Sequence, residues 1–357
     1  MLLEKGLYGL RQGARLFHEK FKVDLVKWGF RASSADPCLF VKQNGDDQIR
    51  VLIFVDDLAI FNDSTSGGKA LKEDLKSKIE EKYEYSTGHD DHVYLGMAVH
   101  RISKNQIFLT QERYIEEVMI KFGFDECRSV RGPSPGAKIS VDDCPPEPPE
   151  KNRIATRHRE VCGVLRWLEQ CTRPDISTTL SELCKVQINP GERHVAQMEH
   201  LMRYVNATKD SGILYGGPAS KYPEGPIVVY CDSDWSGDGE TFHTRGGYVC
   251  TTFGSPISWS SFKIKSVAAS SCEAEYMAAA HAVRECIWLR YLLSDLGYGD
   301  LQPTQYSKLC GKDYEKERML ERCSNLEIPV MMCGDNKGCI AISKNPVLHK
   351  RSKHIHI

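Results

Sequence analysis

No stretch of this 357-residue chain is apolar over the ~20 residues that a bilayer crossing needs, which excludes a membrane span as its organising element. Met1–Leu10 lacks a basic region followed by an apolar run, so the sequence is read as intracellular, cytoplasmic or nuclear, and not secreted. An excess of charge is missing as well. The 47 Lys+Arg residues stand against 48 Asp+Glu, so no general positive field draws in nucleic acid or an anionic membrane. A polyanion partner has to be held by local patches or through metal ions. The 14 cysteines include no Cys-x-x-Cys pair and no zinc-spaced cluster with His, which argues for reduced, mostly buried thiols. There is no internal repeat. What is present, 41% hydrophobic and 27% charged residues, excludes a disordered chain and fits a folded protein of about two domains.

The first block mixes strands and helices. Cys38–Gln43 and Gln48–Val55 are β-rich runs joined by Asn44-Gly45-Asp46-Asp47, a hairpin signal, and Leu58–Phe61 adds a third strand to an antiparallel meander. Leu71, Leu75 and Ile79 recur at four-residue steps among charges, predicting a surface helix over Gly67–Tyr83. Residues 127–152 are rich in Pro, Gly and Ser and predict an extended linker. Three amphipathic helical stretches follow between Arg157 and Lys209. The last block reads as strands at Ile227–Cys231, Gly247–Phe253 and Ile257–Phe262, then a long helix over Ser271–Leu296. Ser270 and Glu273 fit a capping box for that helix, and Gly297 its end. Asp300–Glu327 is an irregular charged insertion before a strand at Val330–Cys333 and a short helix over Lys337–Lys344. The fold class is α+β or α/β.

Two sets of acids carry the candidate chemistry. Asp56-Asp57 interrupts the apolar stretch from Val51 to Phe61; two carboxylates at a turn between buried strands can be aimed together at a divalent cation, although Asp is also an ordinary turn residue. In the last block, Asp232 and Asp234 share a face if their strand continues. Glu275 sits in the first turns of the long helix and Asp335 follows a strand. Each alone has an ordinary reading as a strand-end acid, a helix-dipole partner or a cap. Their order along the chain raises the alternative, because phosphodiester transfer spreads negative charge that two Mg²⁺ ions held by acids can stabilise. Basic residues gather at Lys344, His349, Lys350, Arg351, Lys353 and His354, where phosphate contact competes evenly with a solvated face, and at Arg11 and Arg15, whose ordinary reading is also a solvated charged face.

With these residues in place, the chain resembles the polymerase region of copia-type LTR retrotransposons over nearly its whole length. Leu7-Tyr8-Gly9-Leu10-Arg11-Gln12 with Arg15 is similar to the template-positioning motif of those reverse transcriptases, and Phe54-Val55-Asp56-Asp57 to their metal-binding hairpin, with Phe where Tyr is usual. Tyr94-Leu95-Gly96-Met97, Leu109-Thr110-Gln111 with Tyr114, and Thr172-Arg173-Pro174-Asp175-Ile176 with His194–Tyr204 resemble the segments that follow. Asp232-Ser233-Asp234-Trp235, Ile257-Ser258-Trp259, Ser270–Tyr276, Trp288-Leu289, Asp335-Asn336 and His349–Ile355 resemble a ribonuclease H domain.

The resemblance implies a partial reverse transcriptase palm and thumb without fingers at 1–126, a linker at 127–152, a helical connector at 153–222 and a shortened ribonuclease H-like domain with a mixed sheet at 223–357. It implies that Asp56 and Asp57 hold polymerase metal, that Asp232, Glu275 and Asp335 hold ribonuclease H metal, Mg²⁺ or Mn²⁺, and that Gln12 and Arg15 position template and nucleotide. Arg11, Lys350, Arg351, Lys353 and His354 would contact nucleic acid. The implied partners are an RNA template, a DNA primer, an RNA:DNA hybrid and other parts of a Pol polyprotein, with no membrane. The family places a further palm Asp before the Leu-Tyr-Gly-Leu motif and a fourth ribonuclease H carboxylate after position 357, so the expectation is an inactive polymerase and at most low hybrid cleavage. A catalytically dead nucleic-acid-binding remnant is the competing reading, and a metal-dependent phosphatase unrelated to nucleic acid the third.

Overall fold

The computed structural model describes residues 12–85, 93–146, 153–216, 226–235, 243–298, 328, 330–337 and 339–340. They fall into two compact units, one built from residues 12–85 with 287–298 and 328, the other from residues 93–286 with 330–340.

In the first unit, alternation of apolar and polar residues makes a four-stranded antiparallel sheet. Its strands β1 (Arg31–Ala32), β2 (Leu39–Asn44), β3 (Asp47–Phe54) and β4 (Asp57–Asn62) lie side by side in chain order. Ile49, Val51 and Ile53 of β3 are fully buried while Arg50 and Leu52 between them are not, the period of a strand with one face on the core. Helices α1 (Gly13–Lys27) and α2 (Ser66–Glu80) share that core through Phe21, Leu25, Leu71, Leu75 and Ile79. Burying each of these side chains contributes roughly 1.5–3 kcal/mol. The β2–β3 loop is the two residues Gly45-Asp46, with Gly45 at φ 60°; Asn44 pairs with Asp47 as the last rung of the ladder. Thr65 caps α2, its hydroxyl accepting the Gly68 N–H at 3.0 Å.

Asp295, near the end of the long helix, organises the 31–35 segment of this unit. Its carboxylate accepts from Arg31 at 2.7 Å, the Ser33 hydroxyl at 2.7 Å, and the Ser34 N–H and hydroxyl at 2.7 and 2.9 Å. Burial opposes the charge, but these donors outweigh it and hold the carboxyl well below its ordinary range. Asp295→Ala is expected to cost about 2–3 kcal/mol, read as a lower urea midpoint, because several charge-assisted hydrogen bonds are lost at once. The loss should shrink in acid. A lowered carboxyl pKa stabilises above the unfolded value of about 3.9 and ceases to do so as pH falls through the folded value.

The second unit has two sheets and a helical core. Strands β5 (Val93–Tyr94), β6 (Met97–Ser103), β7 (Gln106–Thr110) and β8 (Gly212–Tyr215) form one antiparallel sheet. Helices α3 (Glu112–Phe122), α4 (Ala155–Cys171), α5 (Ser177–Lys185) and α6 (Glu192–Ala207) pack around Ile115, Met119, Leu165, Leu168, Leu180, Leu201 and Val205. The described part of the Pro/Gly-rich stretch, residues 127–146, is tied to this helical body. Ser140 O, Ala137 O and Gly132 O meet His194 Nε2, Gln197 Nε2 and His200 Nε2 of α6 at 2.7, 3.0 and 3.0 Å.

The second sheet has the order β11-β10-β9-β12. Strands β9 (Ile227–Asp234), β10 (Arg245–Thr252) and β11 (Ser255–Lys263) are antiparallel, and β12 (Val330–Cys333) joins β9 in parallel. Helix α7 (Ser271–Leu293) follows β11. Ser270 accepts the Glu273 N–H at 3.1 Å and the Glu273 carboxylate accepts the Ala269 N–H at 2.6 Å, a capping arrangement reaching one residue further back than the motif predicts. Gly297, at φ 91°, breaks the helical path inside the final stretch Ser294–Tyr298. Lys337, Cys339 and Ile340 are helical, while most of the predicted insertion and the C-terminal residues lie outside the described part.

Candidate metal-binding site

In the second unit, Asp232, Glu275 and Asp335 each offer a carboxylate oxygen, and these oxygens lie within 4.8 Å of one another. The parallel register explains the meeting of the two aspartates. Cys333 of β12 stands opposite Tyr230 of β9, so two residues further along each strand Asp335 arrives beside Asp232. Glu275 comes from the first turns of α7 and is 7% exposed, whereas both aspartates are exposed. The Ser233 hydroxyl donates to Glu275 Oε1 at 2.9 Å, and residues from β9 thereby set both the first acid and the orientation of the second.

Burial pushes the Glu275 carboxyl above its ordinary range, the Ser233 hydrogen bond opposes that rise, and the nearby Asp232 and Asp335 add to it. Three hard oxygen donors, one desolvated among like charges, are a donor set suited to a divalent cation that takes oxygen ligands. The fit extends to shape, because the two exposed acids leave the group open on one side. Among the described residues this is the only group of three or more potential ligands so assembled. Asp234, the neighbour expected to share a face with Asp232, is not part of it.

Asp56 and Asp57 lie in the first unit at the tip of the β3–β4 hairpin, whose two-residue loop is Val55-Asp56 between the paired Phe54 and Asp57. Both acids are exposed, and no third described ligand joins them. Val55 has φ 56°, a left-handed conformation that a β-branched side chain adopts only at a cost. Val55→Gly removes the strain and is expected to stabilise this unit by about 1 kcal/mol, read as a higher urea midpoint; an unchanged or lower midpoint would contradict the strain.

The family model for reverse transcriptase (RNA-dependent DNA polymerase) matches residues 1–135. The chain is 31% identical over 360 residues to a retrovirus-related Pol polyprotein from transposon TNT 1-94 of Nicotiana tabacum, covering 99% of this chain and 24% of that protein. It is 30% identical over 358 residues to the corresponding polyprotein from transposon RE1 of Arabidopsis thaliana, covering 99% of this chain and 22% of that protein. Residues 1–135 thus carry a reverse transcriptase segment, and over nearly its whole length the chain is about 30% identical to copia-type Pol polyproteins of plant transposons. It spans about a quarter of the length of these relatives. No solved structure matches it.

The fold also shows what several of the motif residues do. Gln12 is the exposed residue at the start of α1, and Arg15, exposed one turn later, pairs with Glu19 at 2.8 Å. Arg11, Lys350, Arg351, Lys353 and His354 lie outside the described residues. Leu95 and Gly96, at φ 52° and 74°, make the tight β5–β6 turn, with the backbone signs of a primed hairpin loop. Arg173 is 1% exposed, ion-paired to Asp175 at 2.7 Å and bonded to Thr208 O at 3.0 Å. Thr172 donates to buried Gln111 at 2.7 Å. Sequence reasoning did not single out Ser233 as a partner of Glu275; its place between two acids at a strand end was the available signal. No described helix is long and apolar enough to cross a membrane.

Proposed function

We propose that Asp232, Glu275 and Asp335 form a divalent-cation site for cleavage of the RNA strand in RNA:DNA hybrids, a ribonuclease H module following the reverse transcriptase segment of this Pol chain. The observation that carries the reading is the convergence of three carboxylates from two adjacent parallel strands and a helix start within 4.8 Å. Buried Glu275 closes the group from within, held by Ser233, while Asp232 and Asp335 leave it accessible to a ligand as large as a duplex. Mg²⁺ or Mn²⁺ bound there would supply a Lewis acid for phosphoryl oxygens and a more acidic attacking water. Acids holding metal, rather than a basic surface, let a chain with a net charge of -1 act on a polyanion.

On the same reading, the first unit contributes palm structure, with Asp56 and Asp57 as the polymerase-side acids and Gln12 and Arg15 positioning an RNA template, DNA primer and nucleotide. Arg11, Lys350, Arg351, Lys353 and His354 contact phosphates, and further Pol segments are partners. The test is incubation of the purified chain with an end-labelled RNA:DNA hybrid while Mg²⁺ is titrated. Cleavage of the RNA strand alone, lost on chelation, is expected. No cleavage with either metal, together with no calorimetric metal binding, would leave a dead remnant.

A further inference from the structure

Away from the carboxylate group, two free cysteines lie in the same helical core. Cys162 of α4 is buried among the core residues, and Cys184 of α5 packs against the same cluster, partly open to solvent. Each thiol lies near enough to the other to shift its ionisation. Arg166, one helical turn beyond Cys162, donates through Nη2 to Cys184 Sγ at 3.8 Å, and its guanidinium is simultaneously bonded to Glu169 at 3.1 Å. A cation hydrogen-bonded to one sulfur favours its thiolate, the reactive form of cysteine.

We propose that Cys184 is a peroxide-sensitive thiol whose resolving partner is Cys162, so that oxidation joins α4 to α5 by a disulfide. The Cys184 thiolate attacks hydrogen peroxide: an S–O bond forms, the O–O bond breaks, and the departing hydroxide takes up the proton the thiol released, giving water and a sulfenic acid. The Cys162 sulfur then attacks the Cys184 sulfur: an S–S bond forms, the S–O bond breaks, and hydroxide leaves with the Cys162 proton as a second water. Two thiols are oxidised and one peroxide is reduced. The titration behaviour agrees. The neighbouring Cys162 thiol, with Arg166, brings Cys184 below the ordinary thiol range despite burial, and Cys184 in turn raises Cys162. Cys171, on the same helix as Cys162 and also partly exposed, is pushed by burial up to about 11 and serves as an internal reference.

The experiment uses the full chain without substitution first. At neutral pH, iodoacetamide is expected to modify Cys184 at least about tenfold faster than Cys171. Hydrogen peroxide, followed by alkylation and non-reducing peptide mass spectrometry, should give a Cys162–Cys184 crosslink with the loss of two hydrogens. Cys162→Ser should stop the reaction at a Cys184 sulfenic acid that dimedone captures, and Cys184→Ser should remove both products. Equal alkylation rates at Cys184 and Cys171, or peroxide crosslinks that form elsewhere and leave Cys162 and Cys184 reduced, would overturn the proposal. Neither readout depends on hybrid cleavage.

Discussion

Asp232→Asn is expected to lower metal-dependent hybrid cleavage by at least roughly 100-fold, since a neutral amide in place of one of three acids forfeits about 3 kcal/mol of metal-borne stabilisation. Glu275→Gln should be as damaging to cleavage, yet opposite in its effect on the metal-free fold. Glu275 is buried beside two like charges, and its raised pKa means that ionising it works against folding. The isosteric amide removes that repulsion while remaining able to accept from Ser233, so the metal-free chain should gain about 1 kcal/mol in urea unfolding. An acid present only to support the fold would show the reverse: lost stability and unchanged cleavage. Calorimetric titration with Mg²⁺ completes the test, with weaker binding expected in both variants. Unaltered cleavage in Asp232→Asn would end the assignment.

What could be read from the residues, and what could not, follows from the range of the interactions. The β2–β3–β4 meander and α2 were readable because strand alternation, the Gly45 turn and the four-residue spacing of Leu71, Leu75 and Ile79 are all encoded within a few neighbours. Ser270 and Glu273 announce a helix start in the same local way. The meeting of Asp232 with Asp335 depends instead on the β9–β12 parallel register, a pairing across some hundred residues that no local pattern specifies. Strand β8 went unread for the same reason: four residues after a long helix acquire their meaning only by pairing with β7. Val55 runs against local preference altogether, a β-branched residue at positive φ, and that conflict sits beside the Asp pair to which the family resemblance assigns metal. Buried charge is the other blind spot. Arg173 reads as a surface residue by composition, and only the fold shows that it is fully enclosed.

That enclosure sets the largest expected effect on stability. Arg173 pairs through Nε and Nη2 with both oxygens of Asp175, at 3.0 and 2.7 Å, while Nη1 and Nη2 reach the Thr208 carbonyl and hydroxyl at 3.0 and 2.6 Å. The Tyr204 ring lies 5.5 Å from the guanidinium carbon, and its hydroxyl donates to Asp175 at 2.8 Å. The short helical turn Pro174–Ile176 is thereby fastened to the end of α6. The two partners are unequally enclosed, and this predicts an order. Asp175→Leu strands a guanidinium that is 1% exposed and should cost about 3–5 kcal/mol. Arg173→Met leaves a carboxylate that is 36% exposed and still bonded to Tyr204, so solvent offsets part of the loss and about 2–3 kcal/mol is expected. Tyr204→Phe removes one hydrogen bond, about 1 kcal/mol. The pair also fixes a pH dependence. Burial raises the Asp175 carboxyl, but Arg173 and Tyr204 outweigh it and hold it below its ordinary range. Its contribution is therefore complete above about pH 4 and disappears as the pH falls through the lower folded value. Urea midpoints measured at neutral pH and in acid should show the gap between the wild-type chain and Asp175→Leu narrowing on acidification; equal gaps, or a larger loss for Arg173→Met, would mean that the guanidinium is not held by this carboxylate.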